Sequence, residues 1–225
     1  MNWEDEGYVI SKRKFSENAI ILEVFTNNFG KVGGIVYGGN SRKIKNFLQL
    51  TNKIYVIYNS KGDNKPGYFK TELINAISPE YFDDKIKTLC LNSISSLLKS
   101  VLPENQPYKS IYKSLNELLI NFKSQNWLIS YINWEINLIN NLGFGFKIDV
   151  SKYKNSENKE TIDINLDNIS YKVPSFVIFN NSINLTKRDI YNGLCFTRTL
   201  MENKFFGPNN IKFPYLRKLL ENKFY

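Results

Sequence analysis

The sequence predicts an α+β protein in which a small N-terminal β-barrel precedes an α-helical C-terminal domain. Over the first 78 residues, five short runs rich in β-branched and aromatic side chains alternate with turn residues. After Ser78-Pro79 the apolar residues switch to helical spacing of three and four. At 225 residues, 42% hydrophobic and 15% aromatic, the chain can bury the core that such a fold needs, in one large domain or two small ones.

The first strand centres on Tyr8-Val9-Ile10 and the second covers residues 19–25, closing at Asn27-Asn28-Phe29-Gly30. The third spans residues 31–37 and ends at Gly38-Gly39, and a basic, helix-compatible stretch follows at residues 41–48. Residues 53–58 alternate as a fourth strand, residues 62–67 form a loop by their turn chemistry, and a fifth strand covers residues 68–77. Five strands with a helical segment between the third and fourth is the order of an OB-fold, although strand count alone also fits an SH3-like barrel.

Ser78-Pro79 marks the boundary between residues 1–78 and 79–225, because serine caps helices and proline is tolerated at their first position. Ile86, Leu89, Cys90, Ile94, Leu97, Leu98 and Val101 then line one helix face up to Pro103. A second helix after Pro107 carries Ile111, Leu115, Leu118, Leu119 and Phe122. A third runs to Leu142-Gly143-Phe144-Gly145 and bears Trp127 and Trp134, expected in helix packing. Residues 147–180 are a polar excursion, with 151–170 read as an exposed loop or a two-stranded element. Thr186-Lys187-Arg188-Asp189 is a capping-box variant that opens a helix with Ile190, Leu194, Thr197, Leu200 and Met201 inward.

Composition narrows the chemistry. The chain has no histidine, which removes the commonest general base and zinc ligand and counts against hydrolases, metalloenzymes and acyl-transfer enzymes. Cys90 and Cys195 are too few and too far apart for a disulfide framework or metal knuckle, and read as buried core thiols. The glycines lack the spacing of a phosphate-binding loop, and the Asp83-Asp84 pair sits at a helix start, where it complements the dipole. No catalytic residue, metal or cofactor is expected. No apolar run reaches membrane-spanning length and the start is acidic, so a cytoplasmic location is expected.

The net charge of +9 points to a polyanionic partner, and its distribution sharpens the point. Between Glu23 and Asp63 there is no acidic residue, while Lys31, Arg42, Lys43, Lys45, Lys53 and Lys61 fall in that window. A positive field on the first domain follows.

Several segments, in order, resemble the RecO family. These are Trp3-x-Asp5-Glu6-Gly7-Tyr8-Val9-Ile10-Ser11, Ser16-Glu17-x-Ala19, Glu23-Val24-Phe25-Thr26, Gly30-Lys31, Gly38-Gly39-x-Ser41-Arg42-Lys43 and Leu48-Gln49-Leu50 in the barrel. Beyond it come Trp134-Glu135-x-x-Leu138, Leu142-Gly143-Phe144-Gly145 and Phe196-Thr197-Arg198. The resemblance implies a non-enzymatic protein that binds single- and double-stranded DNA and anneals complementary strands. It also implies work with RecR to help RecA load onto DNA coated by single-stranded DNA-binding protein.

On that reading Lys31, Tyr37, Arg42, Lys43 and Lys45 form the expected DNA-binding patch, with cations on phosphates and an aromatic ring available to stack or to pack in the core. Arg198, Arg217 and Lys218 are the expected cationic rim for the acidic tail of the single-stranded DNA-binding protein. The chain departs from the zinc-bearing members of the family, since residues 147–179 contain neither Cys nor His, and Ile162, Ile164, Ile169 and Val173 are expected to hold the segment by packing. An RNA-binding or ribosome-associated module on the same barrel also fits the charge and aromatic content. A peripheral membrane protein is disfavoured, since no helix joins a basic face to a wide Trp/Phe/Leu face.

Overall fold

The computed structural model describes residues 2–60, 62, 67–157, 159–180 and 185–225. The loop expected at residues 62–67 lies outside these except for Gly62 and Gly67, and so does Lys61. The chain forms two compact units, one of Met1–Tyr112 with Pro214–Leu220, the other of Lys113–Phe213 with Glu221–Tyr225.

In the first unit, β1 (Asn2–Lys14), β2 (Ala19–Thr26), β3 (Gly30–Tyr37), β4 (Lys53–Asn59) and β5 (Tyr68–Asn75) close a barrel in the order β1-β2-β3-β5-β4. All neighbours are antiparallel except at the β3–β5 seam, which rests on one parallel pair, Ile35 with Tyr68. Helix α1 (Arg42–Phe47) sits between β3 and β4. This strand order with that helix is the OB-fold, and it settles the SH3-like alternative.

β1 is far longer than the apolar run Tyr8-Val9-Ile10 suggests. Its first half pairs with β4 and its second half with β2, with a register shift between Val9 and Ser11 that lets one strand serve two neighbours. Val9, Leu22, Val24, Leu48, Ile54 and Val56 are fully buried inside the barrel, and Trp3 stacks between Phe29 and Tyr58 at its edge.

The helical pattern begins at residue 78, but the cap is not Ser78. Ser78–Tyr81 makes one 3-10 turn without a side-chain cap, and the Ser78 amide donates to Asn52 Oδ1 at 2.9 Å. Helix α2 (Lys85–Val101) starts instead at Asp84, whose Oδ1 accepts from the Ile86 and Lys87 amides. A carboxylate there satisfies two orphan N–H groups and complements the dipole, a stronger cap than a hydroxyl six residues upstream. Helix α2 packs on β1 within the barrel's unit, where Lys99 Nζ reaches Ser11 Oγ at 3.0 Å. Helix α3 (Lys109–Ile120) follows.

The second unit holds α4 (Trp127–Ile139), the hairpin β6 (Thr161–Leu166) and β7 (Ile169–Pro174), α5 (Ser175–Phe179) and α6 (Lys187–Met201). Helix α4 ends where Leu142-Gly143-Phe144-Gly145 predicts. It widens into a π-turn over Asn140–Phe144, and Gly143 at φ +91° breaks the helix in a region that side chains disfavour. Thr186 and Asp189 form the expected capping box of α6, and its five predicted inward residues are all buried.

The polar excursion proves two-stranded. Asp167 and Asn168, both at positive φ, make the two-residue turn of the β6–β7 hairpin. Ile162, Ile164 and Val173 are buried, as expected, but Ile169 is 40% exposed. It shares the inward face with Tyr171 and Val173 and pairs with buried Leu166, but it stands at the turn end of the hairpin, where the packing stops covering it. Cys90 is buried and Cys195 only partly so, which corrects the reading of both as core thiols.

Helix α7 (Tyr215–Glu221) completes the chain. Among the described residues no helix is long and apolar enough to cross a membrane.

Candidate nucleic-acid interface

Helix α1 is short and two-faced. Ile44 and Phe47 turn inward onto the barrel core, and Arg42, Lys43 and Lys45 are exposed. Ser41 caps it, with its hydroxyl accepting from the Ile44 amide. The connection before α1 is braced: the Asn40 side-chain amide donates to the Ser16 and Glu17 carbonyls, at 3.0 and 2.7 Å, and so holds the β1–β2 loop against the segment following β3. Two aromatic side chains flank this region in the open, Phe15 at 55% exposure and Tyr37 at 66%, with Tyr37 leaning on Tyr68 at 6.3 Å between ring centroids.

The end of β1 adds three cations that the charge window above does not contain, Lys12, Arg13 and Lys14. Together with Lys45 they surround a hollow of about 300 Å³, behind which Ile20 and Leu48 are buried in the barrel core. Among the described residues, no carboxylate lines it. Lys12 is half-buried, and its pKa lies below the ordinary lysine value because burial strips water from the ammonium and Lys45 repels it. Its Nζ donates to Gln49 Oε1 at 3.1 Å, and Gln49 is itself fixed by donating to the Lys45 carbonyl at 2.9 Å. The run Lys12-Arg13-Lys14 and the Leu48-Gln49-Leu50 motif were the signals in the sequence for this group. The first lies upstream of Glu23 and so escapes a search for the longest acid-free stretch.

Of the expected DNA-binding residues, the fold brings Tyr37, Arg42, Lys43 and Lys45 to one end of the barrel. Lys31 stands at the other end of β3, roughly 20 Å away by strand rise, where its Nζ donates to the Lys99 carbonyl at 3.0 Å. Lys53, from the same window, pairs with Glu6 at 2.6 Å. Among the described residues, Lys12, Arg13, Lys14, Arg42, Lys43 and Lys45 make no ion pair.

The three cations expected at the tail-binding rim are placed differently. Arg198, in the second unit, donates through Nε to both Glu221 oxygens and through Nη1 to Glu202. Arg217 is fully buried and Lys218 is exposed, both on α7.

The motif segments of the second unit meet in its core. Thr197 Oγ1 donates to the fully buried Glu135 carboxylate at 2.5 Å, and Phe146, just after the Leu-Gly-Phe-Gly turn, sets its edge against Phe196 at 6.0 Å.

Among the described residues, no cluster of three or more Cys, His, Asp or Glu side chains could hold a metal ion. The protein is expected to carry no stoichiometric metal, so a strong chelator should leave its thermal unfolding unchanged. Elemental analysis finding about one zinc per chain would contradict this.

Comparison with known proteins agrees with the motif order. The family model described as the N terminal part of recombination protein O matches residues 1–77, and the one for the C terminal part matches residues 83–191. The DNA repair protein RecO of Wolbachia sp. subsp. Drosophila simulans (strain wRi) is 30% identical, with 98% of this chain and 99% of that protein covered. That of Wolbachia pipientis wMel is 30% identical over the same shares. The RecO of Ehrlichia chaffeensis is 35% identical over 68% of this chain and 62% of its own length. With an OB barrel, a basic barrel end and both halves of the family pattern in order, the chain belongs to the RecO family of DNA repair and recombination proteins.

Proposed function

We propose that the protein is a non-enzymatic recombination mediator acting in the cytoplasm. It binds single- and double-stranded DNA, anneals complementary strands and, with RecR, assists RecA in loading onto DNA coated by single-stranded DNA-binding protein. The observation that carries this reading is the barrel end, where six cations that make no ion pair among the described residues lie on a face with two exposed aromatic rings, and where no described carboxylate lines the hollow. Cations track phosphates and release counterions, while rings stack bases of any sequence, which suits a protein that handles strands without reading them.

The test is annealing of complementary oligonucleotides, naked and coated with the cognate single-stranded DNA-binding protein. Acceleration in both settings is expected. Binding restricted to structured RNA, with no annealing of DNA, would favour a ribosome-associated role instead.

The acidic, phenylalanine-ending tail of the single-stranded DNA-binding protein is a further proposed ligand. Lys218 offers it an exposed cation, whereas Arg198 would first have to leave Glu221 and Glu202. A tail peptide is expected to bind in low salt and to weaken as salt rises. Absence of binding in low salt would remove this partner.

A further inference from the structure

We propose that the groove between α3 and α4 docks an extended, basic segment of a partner protein, its backbone paired to Asn133 and Asn137, one of its carbonyls on the Trp134 indole N–H and a lysine or arginine on Glu117. The groove encloses about 240 Å³, and its residues belong to the second unit, so none of them takes part in the DNA-binding reading above.

The first observation is an unmet hydrogen bond. Trp134 lines the groove although only 2% of its surface is exposed, and its Nε1 has no hydrogen-bond partner among the described residues. An indole can only donate, and a buried donor without an acceptor is costly and rare in native proteins. Phenylalanine would pack there without that cost. A carbonyl entering from the groove supplies the acceptor that the fold itself lacks.

The second is spacing. Asn133 and Asn137 stand on the exposed face of α4, four residues and so about 6 Å apart along its axis. Alternate peptide groups of an extended chain recur at about 7 Å, close to that interval. A carboxamide carries a donor and an acceptor, as a peptide group does, and neither side chain makes a hydrogen bond among the described residues. On the opposite wall the Asn121 amide donates to the Glu117 carbonyl at 2.9 Å, which leaves its Oδ1 to accept.

The third is charge. On a chain of net charge +9 this groove carries one carboxylate, Glu117, which makes no ion pair among the described residues, and no described cation lines it. A phosphate backbone or an acidic tail is repelled there, and a basic side chain is attracted.

The experiment selects a phage-displayed library of random octapeptides on the full chain and then measures the recovered peptides, synthesised and labelled, by fluorescence anisotropy. They are expected to share a lysine or arginine. Asn133→Ala/Asn137→Ala should weaken them about tenfold, and Glu117→Gln should remove most of the salt dependence of their binding. Trp134→Phe should weaken them about tenfold while its melting temperature holds or rises, because the substitution deletes a donor that the free protein leaves unpaired. In a proton–nitrogen correlation spectrum, the indole signal that Trp134→Phe deletes should move when peptide is added to the wild type. No recovered peptide, an acidic or uncharged consensus, indifference to the asparagine substitutions, or an unmoved indole signal would each overturn the inference. Oligonucleotide binding by these variants should match wild type, and a loss in the asparagine variant would overturn the inference by giving the groove to nucleic acid. Failure of the wild type to bind DNA would remove the DNA-binding reading and leave the peptide result standing.

Discussion

Replacing Gly30 with alanine is expected to destabilise the barrel by several kcal/mol, enough to unfold much of the protein at 37 °C. Gly30 opens β3 at φ +72°, where a side chain costs about 1–2 kcal/mol by backbone sterics alone. A Cβ at this position would also run into the Gln106 carbonyl, which is backbone and cannot swing aside. The neighbouring contacts show why that backbone is there. The Asn105 amide donates to the Lys31 carbonyl at 2.9 Å, and Glu104 bridges to Lys31 in parallel, so the chain after α2 is laid directly along the start of β3. Relieving the clash means breaking that packing.

Against a typical total stability of about 5–15 kcal/mol, such a loss is large. Gly33→Ala is the control. Gly33 is exposed on the same strand, and its nearest neighbour would be the Glu23 Cγ atom at 4.0 Å, so its melting temperature should barely move. Thermal unfolding of the two variants checks the prediction, and comparable melting temperatures would contradict it.

Where the sequence was readable, a strong local period met a strong local stop. Strands β2 to β5 fall within two residues of their apolar runs, and α6 begins at its capping box, because in each case burial pattern and turn chemistry agree. β1 was seen only as Tyr8-Val9-Ile10, since its outward residues Asn2, Glu4 and Glu6, and the cations at its far end, dilute the alternation. The burial expected of Ile169 follows from its sharing a face with Tyr171 and Val173; the sequence does not reveal that it is the first residue after the turn, where cover runs out.

The interface shows the same division. Arg42, Lys43 and Lys45 were legible as a run of charge on one short helix. Lys12, Arg13 and Lys14 reach it only because β1 folds back beside α1, a contact between residues more than 30 positions apart. Lys31 is placed apart from them for the converse reason. Its sequence neighbourhood is basic, but β3 carries it to the other end of the barrel and onto the Lys99 carbonyl. In the second unit the motif segments were recognisable singly, while the hydrogen bond from Thr197 to Glu135 that joins two of them depends on packing across 62 positions.

The joint replacement of Arg42, Lys43 and Lys45 by alanine is expected to weaken DNA binding uniformly across sequences and to flatten its salt dependence. Each phosphate neutralised on a single strand contributes about 0.7 to the slope of log affinity against log salt. If all six cations of the barrel end touch phosphate, a rise from about 50 to 200 mM salt should weaken the wild type by roughly 300-fold and the variant by only about 20-fold. The slope itself should fall by about two units. A protein that reads bases would behave otherwise, because its variants would lose discrimination between sequences rather than affinity for all of them. Folding should be nearly untouched, since the three side chains are exposed on the outer face of α1 and make no ion pair among the described residues, while Ile44 and Phe47 keep the helix seated. Salt titrations of oligonucleotide binding by fluorescence anisotropy, run on several unrelated sequences, measure slope and affinity together. An unchanged slope with unchanged affinity would move the DNA site off the barrel end and onto the basic helical part of the chain.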